Sequence, residues 1–208
     1  MQYQLTNKSI KNSLDAIAAR DRNVGRVLKV AGYPEARRRP EGFETLLRII
    51  VGQQVSVAAA NAIYGRVIGA LGPEVSVSRL LRLRESTLRK AGLSAAKCKY
   101  ARALARAIRE GELDTAGLRE LTDDEALVQI QAVPGLGRWS AEIYLMFSLG
   151  RPDLWPSGDV GAMRGLQKIL NLELRPTPVE ADALARKYSP YRTAMALLAW
   201  KCANATAL

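Results

Sequence analysis

The chain holds no histidine, and its two cysteines, Cys98 and Cys202, form no CxxC pair. Serine-hydrolase triads, papain-like dyads and zinc–histidine hydrolases are thereby excluded, and two thiols are too few for a cysteine-built zinc or iron–sulfur site. Chemistry must come from a carboxylate, a hydroxyl, an amine or a cofactor. The carboxylate with the most informative setting is Asp159, which closes Trp155-Pro156-Ser157-Gly158-Asp159 at the predicted start of a helix. Taken alone it also fits a plain N-cap aspartate. Its other capacity is electrostatic. When an N-glycosidic bond breaks, positive charge develops on the sugar, and a carboxylate can stabilise that charge or orient water toward the anomeric carbon.

The second informative segment is Val133-Pro134-Gly135-Leu136-Gly137-Arg138, set between predicted helices 123–131 and 140–149. Pro134 ends the first helix. Gly135 and Gly137 permit a tight turn whose amides, backed by the positive end of the second helix, can hold a phosphate oxygen. Arg138 adds charge beside the turn, and Leu136 can tie it to a core. Such a helix-hairpin-helix pattern indicates grip on a nucleic-acid backbone rather than chemistry. Trp139 follows at once and offers a stacking face, best suited to a cationic base; a core aromatic is its other reading.

These groups need elements to position them. Apolar spacing and caps predict about ten helices on short connections. Residues 1–31 read mostly as helix, and 34–40 as a basic, proline-bounded linker. Helices follow over 42–51 and from Ser56 to about 70, then one or two short ones within 78–91. Ser94 can cap a basic helix 95–110 closed by Gly111, and Thr122 with Glu125, like Thr177 with Glu180, forms a capping box. Helices 159–170, 178–187 and 191–204 complete the chain, and no strand is expected beyond a short N-terminal segment. On the basic helix, Lys97 lies near the start, where a cation opposes the dipole, so it reads as a phosphate contact, with Ser94 beside it. Trp155, Trp200 and Phe147 read as core.

Lys and Arg number 31 against 20 Asp and Glu, a net charge of +11 that suggests a polyanionic partner. No apolar stretch is long enough to span a membrane, and no signal peptide is evident. The sparse cysteines suit a reducing compartment.

With these residues in place, the chain resembles the helix-hairpin-helix DNA glycosylase superfamily, most closely the 3-methyladenine DNA glycosylase II branch. The likeness spans roughly residues 40–201 and rests on four patches: Phe43 through Val57, containing Ile50-Val51-Gly52-Gln53-Gln54-Val55-Ser56; Gly92-Leu93-Ser94 with Lys97; Val133 through Ala141; and Asp153 through Asp159 followed by Pro190-Tyr191-Arg192-Thr193-Ala194 and Trp200. The resemblance implies an all-α, two-lobed fold, with 45–160 as a central lobe and 1–44 and 161–208 as a second. It implies Asp159 as the catalytic aspartate, Gln54 as the wedge beside an extruded nucleotide, and Trp139 and Tyr188 as base-pocket walls. It implies that backbone oxygens of Gln131, Val133 and Leu136 hold a monovalent cation, Na+ or K+, with no other cofactor required. Strand-cleaving members carry a lysine where Trp139 stands, so the resemblance implies base excision without lyase activity. The expected partner is double-stranded DNA with a damaged base, bound by a monomer in the nucleoid-bearing cytoplasm or a nucleus. Excision of an alkylated purine such as 3-methyladenine is the leading expectation. A mismatch or deaminated-base glycosylase, or a non-catalytic DNA-binding module, stands as the alternative.

Overall fold

A computed structural model describes residues 4–205. Among these residues the chain forms twelve α-helices: α1 Asn7–Ala18, α2 Arg22–Ala31, α3 Phe43–Gly52, α4 Val57–Leu71, α5 Val77–Arg82, α6 Glu85–Lys90, α7 Ala95–Arg109, α8 Asp123–Gln131, α9 Arg138–Tyr144, α10 Val160–Leu170, α11 Pro178–Arg186 and α12 Arg192–Ala203. A 3-10 turn, Gly117–Arg119, precedes α8, and α9 runs on as a π-helical stretch, Leu145–Leu149. No strand occurs among the described residues; the first part of the expected N-terminal segment lies outside them.

The helix boundaries follow local chemistry. Ser56 and Ser94 cap α4 and α7, each hydroxyl accepting the amide three residues on. Thr122–Glu125 and Thr177–Glu180 form complete capping boxes, and Pro178 occupies the first turn of α11, where its missing N–H costs nothing. Gly111, at φ 77°, closes α7 in the left-handed region.

The chain divides into two compact units. One comprises Arg39–Tyr144, the other the residues up to Arg38 together with those from Leu145 onward. The all-helical, two-lobed expectation therefore holds in kind, while the division falls at 144/145 rather than near 160. The reason is packing. α10 packs against α12, which is buried from Thr193 through Ala199. This places Asp159 in the unit that carries the termini. In the other unit, Leu46, Leu47 and Ile50 of α3 form a core with Leu80, Leu88, Leu93 and Leu104, each burial contributing roughly 1.5–3 kcal/mol. No helix is long and apolar enough to cross a membrane among the described residues.

Candidate nucleic-acid interface and catalytic carboxylate

In the unit Arg39–Tyr144, three chain segments meet at the hairpin. The turn between α8 and α9 is anchored by Val133 and Leu136, both buried, and the Leu136 amide donates to the Val133 carbonyl at 3.0 Å. Gly135 sits at φ 90°, and a Cβ there would lie 2.1 Å from the Tyr100 ring of α7, so the backbone passes too close to that ring for any side chain. Gly137 is exposed, its carbonyl accepts the Ala141 amide at 3.1 Å, and α9 begins at the next residue. The first amides of a helix have no intrahelical acceptor, and glycine leaves the approach to them open.

The α3–α4 turn is tied to this hairpin by a residue that sequence reasoning left unassigned. Gln53 Nε2 donates to the Gly135 carbonyl at 2.8 Å and to Ser140 Oγ at 3.0 Å. The next residue, Gln54, is exposed and held at φ 54°, a conformation costly for a residue with a side chain. The expected wedge therefore projects from a strained turn whose base is pinned to the phosphate-binding candidate. Nothing but the polar pair Gln53-Gln54 in a short connection hinted at this tie.

Lys97 requires a correction. Its ammonium was expected at a phosphate, but it donates to the carbonyls of Val51 at 2.7 Å and Gln53 at 2.8 Å, and burial pushes its pKa below 10.5. It closes the C-terminal end of α3, where carbonyls lack intrahelical donors and the dipole favours a cation. The start of α7 thus braces the Gln53–Gln54 turn. Ser94 Oγ is engaged as the α7 cap. Arg138 is 59% exposed, and its Nε donates to the buried carboxylate of Glu142 at 2.9 Å, which orients the guanidinium beside the turn. Trp139 is half-buried in the first turn of α9. Farther along α7, Arg102 donates to the Leu83 carbonyl and closes α5, while Arg106 and Arg109 are exposed.

The carbonyls of Gln131, Val133 and Leu136 lie at the C-terminal end of α8 and in the turn. They are neutral oxygen donors where the helix dipole favours positive charge, and that donor set suits an alkali cation rather than a transition metal. Among the described residues no cluster of acidic, cysteine or histidine side chains could hold a metal.

In the unit that carries the termini, Asp159 is the N-cap of α10 and half-buried. Its Oδ1 accepts the Ala162 amide at 2.7 Å and the Trp200 indole N–H at 2.8 Å. Trp200, expected in the core, is thus partly exposed and bound to the candidate catalytic carboxylate, its ring 5.7 Å from that of Phe147. The loop leading to Asp159 is stapled to α12. Asp153 accepts Arg192 Nε at 2.8 Å and Nη2 at 3.0 Å, and Thr193, wholly buried, donates its hydroxyl to the Arg151 carbonyl at 2.7 Å. Asp153 is held below the usual carboxylate range: burial works to raise its pKa, but the hydrogen bonds from Arg192 and Ser189 outweigh it.

Tyr188 is a second correction. It was expected to line a base pocket, but it is 1% exposed, with its hydroxyl donating to Asp21 at 2.9 Å, and burial beside that carboxylate pushes its pKa up. Asp21 also caps α2 and pairs with Lys187 at 2.9 Å, so Tyr188 is a packed link between α2 and the connection to α12. Both cysteines are free and buried, and burial pushes Cys202 up to about 11.

The described residues thus offer, within an all-helical fold, a glycine hairpin that opens one helix and a half-buried carboxylate that caps a later one. The chain belongs to the HhH-GPD superfamily of base excision DNA repair proteins, whose family description matches residues 47–190. It is 30% identical over 187 residues to DNA-3-methyladenine glycosylase 1 of Schizosaccharomyces pombe, covering 87% of this chain and 82% of that protein. Among solved structures, a 3-methyladenine DNA glycosylase of S. pombe in complex with abasic DNA superposes with a TM-score of 0.84 at 27% identity, covering 91% of this chain and 95% of that one. A DNA-3-methyladenine glycosidase of Bacillus halodurans superposes with a TM-score of 0.80 at 32% identity, covering 92% and 89%.

Proposed function

We propose that this protein is a monofunctional DNA glycosylase that removes alkylated purines, such as 3-methyladenine, from double-stranded DNA in base excision repair, acting as a monomer. The observation that carries the reading is Asp159. It is a half-buried carboxylate at the head of α10, held by an amide and an indole N–H, in a chain of the HhH-GPD superfamily. The relatives named above as 3-methyladenine glycosylases support the substrate class.

The amides at Gly135 and Gly137, with Arg138, grip a backbone phosphate, and Gln54 fills the stack left by the extruded nucleotide. The carbonyls of Gln131, Val133 and Leu136 would hold a sodium or potassium ion, which supplies positive charge beside that phosphate. Trp139 stacks on the base, and a cationic alkylated purine stacks best. The bond from C1′ to the base nitrogen breaks with its electron pair passing to the base, so a cationic purine leaves neutral. Asp159 stabilises the positive sugar and orients water to C1′; the water loses a proton and an abasic site remains. Trp139 has no amine to form a Schiff base, so the strand stays intact.

The test is a panel of duplexes carrying 3-methyladenine, 7-methylguanine, hypoxanthine and mismatches, run with the native protein and Asp159→Asn. The native protein should release the methylated purines and leave alkali-labile, uncut strands. Asp159→Asn should bind the same duplexes and release nothing. Wild-type single-turnover rates in the variant would end the assignment of Asp159, and a borohydride-trapped adduct would end the monofunctional reading.

A further inference from the structure

Asp159 Oδ1 accepts one hydrogen bond from its own helix and another from Trp200 of α12, 41 residues along the chain. The indole meets the carboxylate where α10 and α12 touch closely. At Gly165 a Cβ would lie 1.8 Å from the Ala199 carbonyl oxygen and 2.6 Å from the Ala199 Cα, so backbone rests on backbone. Ala199 is the residue before Trp200. One turn earlier on α10, a Cβ at Gly161 would lie 3.1 Å from Trp200 Cδ1 and 3.2 Å from Asp159 Oδ1, inside normal van der Waals separation from both partners of the hydrogen bond. Neither glycine has a positive φ, so neither is needed for backbone conformation. In a helix interior, where Gly165 lies, glycine is otherwise a cost. Gly161 and Gly165 are spaced one turn apart on the face that meets α12, and what they leave empty is the space that brings the indole to the carboxylate.

We propose that the Gly161–Gly165 contact with α12, acting through Trp200, sets the position of the Asp159 carboxylate, which makes Trp200 a positioning residue for base excision. The indole N–H and the Ala162 amide both hold Oδ1, so turning the carboxylate about its side chain would break at least one of these bonds. This rests on Asp159 being the catalytic group. A carboxylate that must face one carbon atom in the transition state is sensitive to such rotation, because small misplacements of a catalytic group cost large factors in rate.

The contact gives an unusual signature: a substitution that favours the folded chain while harming the reaction. Gly161→Ala, in the first turn of α10, reduces the freedom of the unfolded chain and asks Trp200 and Asp159 to give by a few tenths of an ångström. Its melting temperature should equal or exceed that of the native protein, and its affinity for a lesion duplex should be unchanged. Its single-turnover excision rate at saturating protein should fall about tenfold. Replacing Trp200 by its benzothienyl isostere removes only the N–H; Trp200→Phe removes the donor and part of the ring. Both should lower the rate constant about tenfold or more without altering the half-saturating protein concentration.

Asp159→Asn is measured beside them. If it is inactive while Gly161→Ala and the isostere excise at the native rate, the positioning role is refuted and the catalytic assignment stands. If Asp159→Asn itself excises at the native rate, both fall together. A loss of rate that tracks lost melting temperature or lost DNA affinity overturns the proposal as well, because plain packing would then explain it.

Discussion

Lys97→Met separates two accounts of one cation. The methionine keeps the aliphatic stem and its packing but removes the ammonium. In the structure that ammonium makes two charge-assisted hydrogen bonds, to the Val51 and Gln53 carbonyls, at the C-terminal end of α3. Two such bonds contribute about 3 kcal/mol at the low end of the range. Desolvation of the ammonium, which also holds its pKa below 10.5, takes back part of this and leaves about 2 kcal/mol. For a protein of this size that corresponds to a fall of roughly 4–8 °C in melting temperature. Because the same bonds brace the turn that carries Gln54, DNA affinity should weaken by a factor that does not depend on salt. The assays are thermal unfolding by circular dichroism and binding of a lesion duplex from low to moderate salt. A lysine that neutralises a phosphate predicts the opposite pattern: an unchanged melting temperature and a salt slope reduced by about 1. That pattern would refute the bracing role and return Lys97 to the DNA backbone.

Two further expectations follow from the same geometry. Gly135→Ala combines a positive φ with a Cβ inside the Tyr100 ring, so it should cost about 2–4 kcal/mol in chemical denaturation and weaken DNA binding across all sequences; unaltered stability would mean the hairpin does not pack as described. Asp153 has a folded-state pKa below its unfolded value of 3.8, so its contribution is present above that value and is lost as pH falls through the folded one. Asp153→Asn should cost about 2 kcal/mol at neutral pH and show a flatter decline in stability below about pH 4 than the native protein; parallel acid-denaturation curves would contradict the pairing with Arg192.

Much of the fold was legible because its signals are local. Thr122–Glu125 and Thr177–Glu180 announce helix starts within one turn, and the Pro134–Gly137 run marks a hairpin by backbone freedom alone. The position of Asp159 at a helix head was equally readable, since capping is a relation between near neighbours. Lys97, Tyr188 and Trp200 were misread for a common reason: each found its partner far along the chain. The lysine's place at a helix start suits a phosphate contact, and the tyrosine's pocket role came from the family resemblance; neither sequence neighbourhood contains a trace of the partner that claimed the side chain. Lys97 found carbonyls 44 and 46 residues upstream, and Tyr188 found a carboxylate 167 residues away.

The residue types and their near spacings determined that this chain would be helical, where most helices begin and end, that it carries a glycine hairpin able to meet a phosphate, and that Asp159 heads a later helix. Tertiary structure alone decided which polar groups were already spent within the protein. It buried Tyr188 against Asp21, turned Lys97 inward to close α3, tied Gln53 to Gly135, and brought Trp200 to Asp159. The physical reason is that a buried donor or acceptor must find a partner, and in a folded chain that partner is chosen by which helices can approach, as Gly165 lets α12 approach α10, rather than by distance along the sequence.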